Sequence, residues 1–374
     1  MLSVRLLRGA RAVTLARWAL VVLTSCGTGL LLLGALGWAL SHPSGGTPHL
    51  LVRLAWCAVP VVATAQFAAA VGRAQPAGWP RSGLAAAGLG RGGLALIAAA
   101  TAILVCAVGS GLALLVFMLL RGALGGEPYR GVGPGVLAAG QSLPPAGVVT
   151  LLAVVPLAAG AACSTRLRLG RRGADEEVRR APAGLPWGVA LVAVGLAVES
   201  GARHGHGMPL PSGLGRIAPA AAAGWVLVTV GLVLVGPGLL DGCGRLLAGF
   251  RPGVVRLLSG RALQGEARRL GPVVGMLSAT AAAAVSAYGL RQDAKHPLGP
   301  VTAFGAVLVM VCVLGTAASA AAESRAARRP AVEALRGQAA PAATLRAMAA
   351  VRVAALVAAF LLPALVVASL SNTA

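Results

Sequence analysis

Gly93 to Leu120 reads GLALIAAATAILVCAVGSGLALLVFMLL, without one ionisable residue. A helix rises about 1.5 Å per residue, so roughly 20 apolar residues cross the hydrocarbon core of a bilayer, and this stretch exceeds that. Comparable runs lie at 18–40, 54–72, 146–163, 184–199, 217–240, 271–290, 299–322 and 347–370. The composition agrees. At 57% apolar and 11% charged, with a mean hydropathy of +0.82, a chain of 374 residues has too little ionisable surface to fold in water. The expected fold is an all-α polytopic transmembrane bundle of about nine spans.

The basic residues sort between alternate gaps. Gaps 1–17, 73–92, 164–183, 241–270 and 323–346 hold 24 arginines, whereas the other gaps hold six arginines and Lys295. Cationic side chains are retained on the cytoplasmic side during insertion, so the N-terminus is expected inside and, after an odd number of spans, the C-terminus outside. The net charge of +22 is spread over five juxtamembrane gaps without aromatic interleaving, which suits anionic lipid and topology rather than nucleic acid. Trp18, Trp38, Trp56 and Trp187 fall near expected span ends, where an indole sits well at the interface. The first apolar run is about twice the length of a signal-peptide core, so it reads as a retained span.

Several chemistries are missing. No G-x-x-x-x-G-K-[ST] loop occurs, and the only lysine is Lys295, so the chain is not read as an ATPase or other enzyme and no cofactor is expected. The six cysteines form no C-x-x-C pair and read as small packing residues. His204 and His206 lack a third ligand, so no metal site is expected. Asp175, Glu176 and Glu177 among six arginines read as a neutralising cluster. Proton- and ion-coupled carriers place acids or histidines inside spans, and these interiors are nearly free of charge. Arg352 is expected to snorkel from the last span, and Gln66, the most polar mid-span residue, to bond a neighbouring helix.

The chain also repeats itself. Val4-Arg5-Leu6-Leu7-x-Gly9 recurs as Val255-Arg256-Leu257-Leu258-x-Gly260, and at the same offset Arg17 matches Arg268. A span, a short external gap, a second span, a basic gap with a proline (Pro80; Pro330) and a third span follow both copies. Duplication accounts for this order. The expected organisation is a first module at 1–165 with four spans, a two-span linker at 166–250, and a second module at 251–374 with three. The segments from Val4 to Arg17 and from Val254 to Arg269 read either as basic amphipathic helices lying on the inner surface or as plain extensions of the spans.

The gap 323–346 is the most informative. Pro330 can begin a short helix, Val332 and Leu335 share one face of it, Glu333 and Arg336 take another, and Gly337 can end it. Such a helix between two spans suits docking into a groove on a cytosolic motor; the alternative is a solvated basic loop. With Arg328-Arg329, Leu335-Arg336, Pro341 and Leu345-Arg346 in order, the gap resembles the coupling segment of FtsX-like (MacB-type) ABC transporter permeases. Arg81, Leu84 and Arg91 sit in what looks like a decayed copy before the third span.

That resemblance implies a bacterial cell-membrane permease working with a separate cytosolic ABC-type ATPase, and it allows a homodimer. Coupling would run through Arg81, Leu84, Arg91, Arg328, Arg329, Val332, Leu335 and Arg336. The family commonly has ten spans and often a large extracytoplasmic domain. Here the gaps at 41–53 and 291–298 are too short for one, a glycine usual in the second coupling turn is replaced by Ala339 or Ala340, and the second module lacks a fourth span. A degenerate, non-transporting scaffold or regulator is therefore the alternative function, with a secondary carrier behind it.

Overall fold

The structure, a computed structural model, describes residues 2–41, 47–74, 91–122, 143–176, 184–202, 208–209, 216–217, 219–249, 253–293, 300–337 and 341–373. Nine helices run through them: α1 (Leu2–Ser41), α2 (Thr47–Ala74), α3 (Arg91–Leu120), α4 (Pro145–Glu176), α5 (Gly184–Ala202), α6 (Pro219–Gly249), α7 (Val254–Asp293), α8 (Pro300–Gly337) and α9 (Ala342–Thr373). Each is long and apolar enough to cross a membrane, as the hydropathy pattern leads one to expect. A two-residue antiparallel pair, β1 (Met208–Pro209) with β2 (Arg216–Ile217), is the only strand structure among the described residues. The chain is an all-α polytopic membrane protein.

Two compact units are present. One comprises Met1–Glu176, Leu210–Leu214 and Leu298–Thr316, and the other Glu177–Pro209, Gly215–Pro297 and Ala317–Ala374. Its long helix α8 thus contributes its first half to the first unit and its second half to the second.

Small residues set the packing of the first unit. Lipid tails are as apolar as leucine, so helices in a membrane gain by approaching closely rather than by hiding from water. A Cβ at Gly109 of α3 would lie 2.6 Å from Ser25 Cβ and 2.7 Å from the Val22 carbonyl oxygen of α1. At Gly29 it would lie 2.7 Å from Ala113 Cβ. Along this contact the Ser25 hydroxyl donates to the Cys106 carbonyl at 2.8 Å. Val21, Val61, Phe67, Val71, Cys106, Val155 and Cys312 form the buried core around it. Helix α3 ends at Gly122, whose φ of 77° favours glycine, while its N–H donates to the Leu119 carbonyl.

In the second unit α5, α6 and α7 approach closely at paired glycines, with Val192, Val228 and Val235 packed around the α5–α6 contacts. Gly188 and Gly195 of α5 face Gly231 and Gly224 of α6: a Cβ at Gly231 would meet the Gly188 carbonyl oxygen at 2.8 Å, and one at Gly224 the Gly195 oxygen at 2.7 Å. The seven-residue spacing on both helices keeps glycines on one seam. On its other side α6 meets α7, with Gly236-Pro237 against Gly271 and with Gly244 against Gly260. Leu240, Leu263, Ala267, Leu270 and Val274 fill the adjoining core with Ala320 and Ala359.

This arrangement decides between the two readings of 254–269. The segment is not a separate helix on the membrane surface: it continues into the span as one helix and packs back along the end of α6. Leu263 is buried there, while Val254, Leu257 and Leu258 remain exposed. The close Gly244–Gly260 approach holds it to α6.

Candidate functional site

Helix α8 does not stop at the end of its apolar run. It continues through Glu323 and Arg336 to Gly337, so the expected short helix beginning at Pro330 is instead the tail of one 38-residue helix. Proline inside a helix removes one hydrogen bond and frees the carbonyl four residues earlier. Here that residue, Ala326, is exposed, as is Pro330, so water can reach this turn and offset part of the lost bond. Gly337 ends the helix, as its sequence position suggests.

The tail is held by an ion network that composition alone conceals. Glu266 of α7 accepts hydrogen bonds from Nε and Nη2 of Arg328 on α8, and from Nη2 of Arg352 on α9 at 2.6 Å. One carboxylate therefore joins three helices of the second unit. Arg352 is only 8% exposed and its Nε, also buried, has no hydrogen-bond partner. The expectation that Arg352 snorkels is corrected: a carboxylate lies opposite it, and an ion pair with hydrogen bonds inside the protein outweighs extension to the surface. Ser259 adds a bond from α7 to the Met348 carbonyl of α9 at 3.4 Å, and Ser278 one to the Phe360 carbonyl at 2.9 Å.

Of the coupling residues expected from sequence, Arg329 and Arg336 are exposed on the tail, Val332 is half-buried, and Arg328 is the one drawn into the network. The side chains of Leu335 and Arg91 lie outside what the structure describes, and Arg81 and Leu84 lie outside the described residues altogether. Glu266 was missed. Its signal was available: an arginine inside a span needs a carboxylate, and Glu266 is one of two acids, with Asp241, in the gap 241–270.

A second polar group lies in the first unit. Thr28 donates to the Thr24 carbonyl at 2.8 Å, which leaves Thr64 to donate to Thr28 Oγ1 at 2.8 Å and the Cys312 thiol to approach Thr64 at 3.6 Å. This chain of donors links α1, α2 and α8 and ends on backbone, so it is a packing seam with its polar atoms satisfied. Gln66, expected to make an interhelical bond, is half-buried. All six cysteines are free thiols, and no metal-binding group occurs among the described residues. Comparison with family models, curated proteins and solved structures gave no match to this chain.

Proposed function

We propose that this chain is the membrane-spanning, non-enzymatic subunit of an ABC exporter-like or mechanotransmission complex of the FtsX-like type. A separate cytosolic ATPase hydrolyses ATP and pushes on the basic gaps at 73–92 and 323–346, and the spans convert that push into handling of a hydrophobic or amphiphilic cargo. The observation that carries the reading is the α8 tail, a helix continuous with a span and tied by Arg328 to a neighbouring helix.

The test is co-purification with a candidate ABC ATPase from the same genome, at equal membrane abundance. Burying one leucine-sized anchor is worth roughly 1.5–3 kcal/mol, so Leu335→Asp, which also sets a charge against an apolar groove, is expected to weaken the complex by about two orders of magnitude. Leu84→Asp, in the decayed copy, is expected to cost less. Undiminished binding in both variants would sink the coupling role and favour the non-transporting scaffold.

Orientation belongs to the same reading. Reporter fusions after Thr47, Arg171, His206 and Ala374 are expected to read outside, inside, outside and outside, following the division of arginines between the gaps. An inside signal at Ala374 would contradict the nine-span topology.

A further inference from the structure

The tail of α8 carries its exposed arginines on one side. Successive helical residues turn by about 100°, so Arg325, Arg329 and Arg336 fall within about 40° of one another, with Val332 close to the same arc. All three arginines are exposed and none has an ion-pair partner among the described residues. Glu323 falls on the opposite side of the helix, and Glu333, the only other acid between 323 and 346, lies about 40° beyond Arg329. Arg328 stands about 60° from Arg325 on the other flank, where Glu266 holds it. That bond fixes the rotation of the tail and keeps the other three arginines turned outward.

Two kinds of surface attract such a stripe, anionic lipid and acidic protein. Length separates them. Arg336 follows the end of the apolar run at Ala322 by fourteen residues of unbroken helix, about 21 Å along the axis. The polar layer of one leaflet is only about 5–8 Å deep, and charge is screened beyond about 8 Å in physiological salt. For a helix along the bilayer normal with Ala322 at the edge of the hydrocarbon, the distal end of the stripe therefore stands clear of the headgroups.

We propose that the Arg325–Arg329–Val332–Arg336 face docks into a groove with acidic walls and an apolar floor on a cytosolic protein. The proposal rests on the reading of the tail as a docking segment and names the chemistry of its partner: the ATPase groove that receives it is acidic. Arg328 is not a docking contact but a positioning residue.

The experiment uses the full chain in zwitterionic nanodiscs. Wild type is compared with Arg329→Glu/Arg336→Glu and with Arg261→Glu/Arg269→Glu, which makes the same charge change at exposed positions of α7. Three probes are titrated: a candidate ABC ATPase from the same genome, a poly-glutamate peptide and anionic vesicles. Each exposed pair is worth up to a few-fold and reversal turns attraction into repulsion, so the tail variant is expected to lose on the order of tenfold or more for ATPase and poly-glutamate, with the α7 variant losing little. Equal losses in the two variants would overturn the proposal, as would vesicle capture that depends on the tail. An ATPase that binds wild type and the tail variant alike leaves the ABC reading standing and removes this one. Where the ATPase fails to bind wild type while poly-glutamate still distinguishes the variants, the ABC reading falls and the acidic-groove reading survives.

Discussion

Glu266→Ala is expected to destabilise the second unit by about 3–5 kcal/mol, because it leaves Arg352 buried without its counter-charge. The two arginines are not equivalent. Arg328 is the more exposed partner, with 28% of its side chain accessible against 10% for Arg352, so it can turn to water when the carboxylate goes. Arg328→Gln is accordingly expected to cost only about 1 kcal/mol, since Arg352 still neutralises Glu266. Replacing the inner pair together, as Glu266→Leu with Arg352→Met, should recover most of the loss, as apolar substitutes for buried ion pairs commonly do. Denaturant unfolding of the detergent-solubilised chain, followed by helix content, measures all three. If Glu266→Ala is no more damaging than Arg328→Gln, the network is a surface decoration and does not hold α8.

Gly271→Val is expected to be among the most disruptive single changes in the α6–α7 contact. A Cβ there falls on the backbone of Pro237, which cannot rotate away as a side chain would. The helices must separate along the seam, and overpacking of this kind costs about 1–3 kcal/mol or more. Gly242→Ala and Gly265→Ala on the same two helices are the controls, since nothing lies within 4 Å of a Cβ at either position. There alanine removes backbone freedom from the unfolded chain and is expected to stabilise by about 0.4–1 kcal/mol. Comparable losses at all three positions would mean that helix propensity, and not contact, governs these glycines.

The hydropathy pattern made the nine helices legible, because a bilayer imposes a length on every apolar run and leaves few alternatives. It did not reveal where the helices end beyond the membrane. Pro330 and the arginines around it read as a gap because proline and charge are the ordinary marks of one, yet α8 passes through both. Water can reach the turn that Pro330 interrupts, and nothing else stops the helix before Gly337. The glycine contacts were not legible, since the sequence does not say that Gly188 faces Gly231 or that Gly236 faces Gly271. Glu266 was hidden for a related reason. Among the arginines of its own gap it looks neutralised locally, and only the fold shows that its partners come from α8 and α9.

The ribbon of α5, α6 and α7 has a consequence for traffic through the membrane. Where glycines bring one backbone against the next, an acyl tail finds little room to slip between the helices. If the protein moves a hydrophobic cargo as proposed, these two seams would form a closed wall, and the cargo is expected to leave by another boundary. Lipid-facing labels placed along α5–α6 should then stay silent during turnover.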